Sequence, residues 1–268
     1  MISTDIFLEI GSQHKVCEDY IIKGNDPVPF IILSDGCSSS NNTEMGARIL
    51  CHLAKKYLQY RAEDLHDLDY HKMGQWIIHN AEMVARQLGL KVSCLDATLI
   101  VAYHLDKQIH VYMYGDGAII TKDGGRIEVH KVDFTNNAPY YLSYQIDDNR
   151  HQLYHAMKND MSIKVSTPDG EQCAVYAYDF ASYFLFDGTY DTLFITSDGI
   201  FSFIVENATE RRIIPEGDVL PNFMNFKNVK GEFLKRRLNR ALKNLNKRDI
   251  NHYDDLSVGA FISIEENN

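Results

Sequence analysis

Two segments of the chain share one ending, in which an apolar run is followed by Ser, Asp and Gly. They are Phe30–Gly36 (FIILSDG) and Leu193–Gly199 (LFITSDG). A short continuous apolar run is typical of a strand buried on both faces, so each Asp would lie at the end of a buried strand. The Gly that follows has no Cβ, which lets its backbone carbonyl approach a ligand. Carboxylate and carbonyl oxygens are the donors that Mg²⁺ and Mn²⁺ prefer, so the repeat indicates a divalent-cation site.

Three further acidic elements surround these repeats: the segment Tyr112–Gly117 (YMYGDG), the pair Glu18-Asp19 and the pair Asp254-Asp255. Asp-Gly is also a strong hairpin-turn signal, and one such unit alone favours a turn over a metal ligand. Two other Asp-Gly dipeptides are predicted to be turns: Asp123-Gly124 and Asp187-Gly188. Two S-D-G repeats together with two acidic pairs shift the balance towards a metal site without deciding it.

The elements that must position these carboxylates are strands, then two helices, then strands. The first strands are predicted in residues 5–12, 19–27 and 29–36. Amphipathic helices follow over 41–60, capped by Asn42 or Thr43, and over Tyr70–Leu88, which ends at Gly89. Residues 97–132 are predicted to form one antiparallel meander of four strands.

The remaining chain predicts fewer elements. Residues 174–186 are predicted to be extended, 191–199 and 256–264 to be strands, and 231–248 to be a basic amphipathic helix. That helix is expected to present a solvated basic face over a core seam, with docking of an acidic partner as the alternative. Strands and helices without strict βαβ alternation indicate an α+β layered fold.

Composition excludes several classes of protein. The chain has 268 residues, 45% of them hydrophobic and 24% charged, and no linker-like tract, so we expect a single domain over 1–268. A net charge of −10 argues against a general nucleic-acid binder. No apolar run is long enough for a membrane span, and the N-terminus carries no secretory signal. Five cysteines without a C-x-x-C pair argue against a disulfide framework and favour the cytoplasm.

The order of the motifs resembles that of the metal-dependent protein phosphatases, the type 2C serine/threonine phosphatases (PPM). Over Gly11–Ser263 the chain reads GSQHKVCED, IILSDG, a helix pair, DATLIVAYH, VYMYGDG, DTLFITSDGIF and DDLSV. Each landmark is weak singly, and their common order is fairly specific. The resemblance implies a four-layer α/β/β/α sandwich, with two central antiparallel sheets flanked by helix pairs.

The resemblance also implies a reaction, the hydrolysis of phosphoserine and phosphothreonine in proteins by water activated between two Mn²⁺ or Mg²⁺ ions. By motif, Asp35 would bridge both ions and count as a catalytic residue. The other implied ligands are Glu18 and the Gly36 carbonyl for one ion, Asp198 and Asp254 for the other, and Asp116 with Asp198 at a third, weaker site.

Several positions depart from the family pattern. The Arg that grips phosphate in the family is replaced by His14, with Lys15 beside it, and Cys37 stands where a His usually follows the first Asp-Gly. The segments 96–99 (DATL) and 115–118 (GDGA) replace G-T-T-A and G-D-S-R. An imidazole or ammonium does not equal a bidentate guanidinium, so His14 is either a catalytic phosphate contact or an exposed loop residue.

We therefore interpret the chain as a metal-dependent phosphatase of phosphorylated proteins, opposed by a partner kinase and expected to be a monomer without nucleic-acid or membrane partners. Two alternatives stay open. One is a degenerate phosphatase that acts as a phosphoprotein- or metal-binding regulatory module, and the other is a phosphatase of small phosphate esters. Residues 136–144 are a weaker prediction for part of a substrate-side flap.

Overall fold

The computed structural model describes residues 2–187, 190–206 and 211–263. The strands in these residues are β1 (Ile2–Glu9), β2 (Tyr20–Gly24), β3 (Phe30–Ser34), β4 (Leu99–Leu105), β5 (Gln108–Tyr114), β6 (Gly117–Asp123), β7 (Arg126–Phe134), β8 (Asp160–Thr167), β9 (Gly170–Ala177), β10 (Ser182–Asp187), β11 (Thr192–Thr196), β12 (Phe203–Glu206), β13 (Arg211–Ile213), β14 (Ile250–His252) and β15 (Leu256–Ser263). The helices are α1 (Thr43–Tyr60), α2 (Tyr70–Gln87), α3 (Asp148–Met157), α4 (Glu216–Phe223) and α5 (Phe233–Asn246). The predicted α+β class is confirmed.

The strands form two large antiparallel sheets. One has seven strands in the order β1-β15-β11-β6-β7-β8-β9, and the other has five in the order β10-β5-β4-β3-β2. A third, smaller sheet has three strands in the order β13-β12-β14. Among the described helices none is long and apolar enough to cross a membrane.

Three apolar cores separate the layers. The first lies between α1, α2 and the five-stranded sheet, the second between the two large sheets, and the third between the seven-stranded sheet and α4 with α5. This order is consistent with the four-layer sandwich that the family resemblance implies.

The two strands that precede the S-D-G motifs are buried on both faces, as predicted. In β3, Phe30 and Ile32 pack towards the helices while Ile31 and Leu33 pack into the core between the sheets. In β11, Phe194 packs towards α5, and its two neighbours pack into the core between the sheets. Side chains alternate between the faces of a strand, so an uninterrupted apolar run needs a packed layer on each side.

Both predicted helices after β3 form, with one correction at the first cap. Asn42 occupies the N-cap of α1 in a left-handed conformation, and no side-chain bond caps the helix there. The cap of α2 is Asp69, whose carboxylate accepts the Lys72 amide at 2.8 Å. The helix closes at Gly89, whose φ of +72° is readily adopted only by a residue without Cβ.

The prediction of one meander over 97–132 is wrong, because its four strands are two hairpins in different sheets. β4 pairs with β5 in the five-stranded sheet, and β6 pairs with β7 in the seven-stranded sheet. The chain crosses between the sheets at Gly115 and Gly117, whose φ values are +91° and +139°. Two glycines around one Asp permit this corner, which an alternation pattern cannot reveal.

The extended segment predicted over 174–186 is also divided. β9 belongs to the seven-stranded sheet and β10 to the five-stranded sheet, with residues 178–181 between them. The predicted turn at Asp123-Gly124 is confirmed as the loop between β6 and β7. At the other predicted turn, Gly188 lies outside the described residues.

Replacement of Gly46 by Ala tests the packing of α1. A Cβ at this position would overlap the backbone carbonyl oxygen of Cys94, so Gly46→Ala should lower the free energy of unfolding by about 1–3 kcal/mol. The control is Gly217→Ala in α4, where a Cβ meets nothing within 4 Å and should be neutral or stabilising by up to about 1 kcal/mol. Urea denaturation measures both, and equal effects of the two substitutions would contradict this packing.

Candidate metal centre

The ends of strands from both large sheets meet at one end of the sandwich. Asp35 follows β3 of the five-stranded sheet, and Asp198 follows β11 of the seven-stranded sheet. Asp116 stands at the corner where the chain passes from one sheet to the other. Burial raises the pKa of Asp35 well above its usual range, and the charges of Asp19, Asp198 and Asp116 add to that effect. The structure therefore brings together carboxylates that lie far apart in sequence.

Asp35 is held in place through its backbone. Its amide donates to Thr98 Oγ1 at 3.0 Å, and its carbonyl accepts the Thr98 amide at 2.8 Å. The next amide, of Gly36, donates to the Glu18 carbonyl at 3.2 Å. A Cβ on Gly36 would stand 2.8 Å from the Thr43 side chain, so only glycine fits between these segments. The side chain of Asp35 thus projects from a rigid loop.

Glu18 lies beside this loop. Its Oε1 accepts the Thr43 hydroxyl at 3.1 Å, and its amide donates to Asp255 Oδ2 at 2.6 Å. Burial raises the pKa of Glu18, while the bond from Thr43 lowers it. Thr43, the first residue of α1, therefore fixes the position of the Glu18 carboxylate, which is a predicted metal ligand.

Asp19 is a buried carboxylate to which the sequence interpretation gave no role. Only 2% of it is exposed, and its Oδ2 accepts the hydroxyls of Ser197 at 2.8 Å and Ser257 at 2.5 Å. Its Oδ1 has no hydrogen-bond partner. Burial raises the pKa of Asp19 to about 7, and the hydroxyls of Ser197 and Ser257 oppose that shift.

The pKa values of the two other central aspartates are raised as well. Burial and the charge of Asp198 raise the pKa of Asp116 to about 8, whereas burial and the charge of Asp254 raise that of Asp198 to about 6. Lys131 on β7 lowers both pKa values, and its Nζ pairs with Asp133 Oδ1 at 3.0 Å. The net effect of crowding and burial is a cluster that binds protons more tightly than free carboxylates do.

The last acidic pair has two separate tasks. Asp255 is buried, and it accepts the amides of Gly11 and Glu18, which fastens the loop before β2 to the start of β15. Asp254 is partly exposed, and its Oδ1 lies 3.4 Å from Nε2 of His14. The other ring nitrogen of His14 lies 3.0 Å from Asp255 Oδ2 without hydrogen-bond alignment. His14 therefore lies against a predicted metal ligand and is not a free loop residue.

The pKa of His14 is set by opposing effects. Burial lowers it, but the nearby carboxylates of Asp255, Asp254 and Glu18 outweigh burial, and the net direction is upward. The folded structure therefore favours the imidazolium form more than water does.

Comparisons with known proteins agree with this arrangement. A sequence model of the family Protein phosphatase 2C matches residues 11–243. The chain belongs to the protein phosphatase 2C family. This is the family of metal-dependent serine/threonine protein phosphatases, so the enzyme class predicted from the motif order is confirmed. No curated protein sequence matches the chain at a significant level.

Solved structures of serine and serine/threonine phosphatases share the fold at low sequence identity. A bacterial serine phosphatase aligns at a TM-score of 0.56 with 13% identity, and both chains are covered over 100%. Stp1 from Staphylococcus aureus aligns at a TM-score of 0.55 with 15% identity, over 99% of this chain and 96% of that one. The serine/threonine phosphatase of S. agalactiae gives a TM-score of 0.55 and 15% identity, over 98% and 100%.

The donor set in this phosphatase 2C has the chemistry that divalent ions require. All the candidate ligands are oxygen donors, several share one crowded end of the sandwich, and Asp19 carries an unpaired buried oxygen. Among the described residues, however, no three His, Cys, Asp or Glu side chains already enclose one point as an ion site. The charges of Asp19, Asp116 and Asp198 all act on Asp35, so these carboxylates lie near enough to attract a divalent ion together.

One cavity lies next to the carboxylates. Its volume is about 400 Å³, and it reaches Gly115, the residue before Asp116. The segment predicted as a flap contributes Tyr140 and Leu142 to its wall. None of the predicted site residues lines this cavity, so it is a neighbour of the candidate metal centre.

Sequence reasoning missed the residues that hold the ligands in place. Ser197 stands inside one S-D-G motif, Ser257 belongs to the D-D-L-S segment, and Asp19 and Asp255 are the second members of the acidic pairs. Each was visible in a quoted motif, but nothing in the motifs distinguished a ligand from its support. No sequence motif indicated Lys131, because only the pairing of β6 with β7 brings it close to Asp116.

The raised pKa values predict how stability depends on pH. The folded protein keeps protons on Asp198, Asp19 and Asp116 up to about pH 6, 7 and 8, whereas the unfolded chain releases them near 3.8. Native protein then binds more protons than unfolded protein, so in EDTA the free energy of unfolding should fall as pH rises through this range. Saturating Mg²⁺ should make that fall smaller, since the ion replaces protons.

Urea denaturation in EDTA, over a pH range of about 5 to 9, measures this dependence. Asp19→Asn keeps the shape and removes one titrating group, so its curve should be flatter than that of the wild type. A wild-type free energy of unfolding that rises with pH in EDTA would contradict the assignment.

Proposed function

We propose that the chain hydrolyses phosphoserine and phosphothreonine in proteins at the carboxylate cluster, with water activated by divalent cations. The observation that carries this proposal is the convergence on Asp35 of carboxylates from both sheets. Two ions close together would polarise the attacking water and stabilise the charge of the transferring phosphoryl group. Mn²⁺ and Mg²⁺ are the proposed ions because every candidate ligand is an oxygen.

The proposed ligands are those that the family resemblance implies, and their proximity in the structure supports them. Asp35 lies at its centre and is the proposed ligand of both ions. The other proposed ligands are Glu18 and the carbonyl of Gly36 for one ion, Asp198 and Asp254 for the other, and Asp116 with Asp198 for a third, weaker ion. Asp19 lies close to Asp35 and is proposed as a residue that positions it.

The chain supplies orientation as well as ligands. Thr43 fixes the Glu18 carboxylate, and Ser197 and Ser257 fix Asp19. Because these supports come from α1, from the residue directly after β11 and from β15, the ligands are attached to packed elements and not to free loops. Ligands that are already held in place need little rearrangement when charge develops in the transition state.

The chain 1–268 is proposed to act as one domain, in a reducing compartment such as the cytoplasm. All five cysteines are free, which supports that compartment. Its substrates are proposed to be phosphorylated proteins. A protein kinase would be the enzyme that supplies them.

Asp35→Asn tests the central ligand. Loss of one carboxylate charge from the position shared by both ions should lower kcat/KM for a phosphothreonine peptide by at least about a hundredfold and reduce the Mn²⁺-dependent rise in Tm. The control is Asp106→Asn, an exposed aspartate in the turn between β4 and β5, whose φ of +47° suits Asn. An Asp35→Asn protein with wild-type activity would rule out the assignment.

His14 is the proposed phosphate contact, because its Nε2 lies 3.4 Å from Asp254 Oδ1 and its pKa is raised. The protonated ring would bind phosphate, so kcat/KM should fall on the alkaline side as the imidazolium is lost. His14→Arg should lower KM and remove that alkaline fall, whereas His14→Ala should raise KM without weakening Mn²⁺ binding. Lys15→Gln tests the alternative, in which the exposed neighbouring Lys15 binds the phosphate instead of His14.

pH–rate profiles of these variants measure the effect. A single KM and a single alkaline limb shared by wild type, His14→Arg and His14→Ala would show that His14 only supports Asp254.

One observation favours a second candidate function, a regulatory module that binds phosphoproteins without turnover. Both ring nitrogens of His14 face carboxylates, and the site has no Arg at this position. Measurement of phosphothreonine peptide hydrolysis with Mn²⁺, Mg²⁺ or EDTA separates the two functions. Peptide binding without phosphate release under either metal would favour the module, and hydrolysis of an aryl phosphate alone would favour a small-ester phosphatase.

A further inference from the structure

A basic groove lies on the outer side of α5, away from the carboxylates. Its volume is about 320 Å³. Four of the residues that line it are cationic, and the others are two asparagines and two phenylalanines. The lining residues are Asn225, Phe226, Lys227, Asn228, Phe233, Arg236, Arg237 and Arg240.

The spacing on α5 explains why the cations converge. Arg236, Arg237 and Arg240 are three or four residues from Phe233 or from one another, so they share one helix face. The opposite face is buried and packs on the seven-stranded sheet through residues such as Leu238 and Leu242. The connection between α4 and α5 covers the basic face and contributes Lys227 and the asparagines. The cations are thus gathered in a concave site rather than spread over a solvated face.

The groove lacks negative charge of its own. Within the described parts of the chain, no carboxylate pairs with the four lining cations, and the nearby Glu232 pairs with Lys235 at 3.3 Å. A fifth cation stands at the edge, because Lys122 Nζ donates to Asn225 Oδ1 at 2.6 Å. This concentration of positive charge occurs on a chain whose net charge is −10.

One donor in the groove is buried without a partner. Nε of Arg237 is inaccessible and makes no hydrogen bond, whereas Arg236 donates to the Lys230 carbonyl at 2.7 Å. Burial lowers the pKa of Arg237, and the like charge of Arg240 lowers it further. Like charges held close together are unfavourable, and an anion bound beside them would relieve that repulsion.

We propose that this groove is a binding site for phosphate groups. Three of its cations are guanidinium groups, whose planar donor pairs match the oxygens of phosphate, and Asn225 and Asn228 add neutral donors. Phosphate can reach it in two forms, as a phosphorylated residue of a protein or as free phosphate or polyphosphate.

The groove is distinct from the candidate metal centre. Lys122 is six residues along β6 from Asp116, which corresponds to about 20 Å of strand. One phosphate cannot occupy both places, but a protein substrate with two phosphorylated residues could bind both at once. That use of the groove rests on the proposed function, whereas phosphate binding itself does not.

Isothermal titration with pyrophosphate in EDTA tests the groove without turnover and without metal-dependent binding at the carboxylates. We expect saturable binding with a Kd below about 1 mM that weakens as salt rises. Arg236→Gln combined with Arg240→Gln should weaken it by at least about tenfold. The matched control, Lys243→Gln with Lys247→Gln, removes the same charge from exposed positions on or directly after α5 and should leave Kd within about twofold.

No saturable binding by the wild type would overturn the proposal. Equal weakening by both double variants would overturn it as well, because it would assign binding to net charge and not to the groove. Circular dichroism of each variant verifies that the fold is kept.

A second titration in EDTA separates the sources of the phosphate. It compares inorganic phosphate, a singly phosphorylated phosphoserine peptide and the same peptide with two phosphoserines. Binding of a peptide that is lost in Arg236→Gln with Arg240→Gln would identify a phosphorylated protein as the ligand. Binding of inorganic phosphate and pyrophosphate, but of neither peptide, would identify free phosphate as the ligand and would still support a phosphate site in the groove.

Discussion

Crowding of carboxylates at the junction of two sheets is the constraint on which the rest of the structure depends. Asp35 lies close to Asp19, Asp116 and Asp198, and each of these groups raises the pKa of Asp35 through its charge. Like charges that are removed from water destabilise the folded state unless protons or cations compensate them. The residues around the cluster therefore have to stabilise the folded state against this repulsion.

Those supports divide between polar contacts and packing. Ser197 and Ser257 satisfy one oxygen of Asp19, and Asp255 fastens the loop that carries Glu18. Beneath them, β3 and β11 are buried on both faces, between cores that include α1 on one side and α5 on the other. The apolar layers therefore supply the stability that the carboxylate cluster removes, as is common where function requires strained or charged groups.

The part of the fold that follows from local pattern could be predicted from the sequence. The two S-D-G strands were predicted from continuous apolar runs, and α1, α2 and α5 from helical periodicity; the structure contains all of them and the predicted last strand. The division of 97–132 between two sheets could not be predicted, because Gly115 and Gly117 turn the chain without changing the alternation. α4 was missed since it is short and contains Pro221, which is unfavourable in a helix interior.

The candidate site shows the same limit. Motifs placed acidic residues at strand ends, and the structure brings Asp35, Asp116 and Asp198 together there. Motifs did not reveal that Asp19 is buried behind Asp35, nor that His14 lies between Asp254 and Asp255. These relations depend on pairing between distant strands, which leaves no mark within any one segment. The sequence of α5 likewise predicts only a solvated basic face. The groove could not be predicted, because the residues that enclose it come from the connection after α4.

Anomalous diffraction from crystals of the wild-type protein grown with Mn²⁺ tests the central claim most directly. The account predicts two strong peaks on either side of the Asp35 carboxylate, about 3.5–4 Å apart, with Glu18 beside one and Asp198 beside the other. Saturating Mn²⁺ that gives no peak within coordination distance of Asp35 would contradict it.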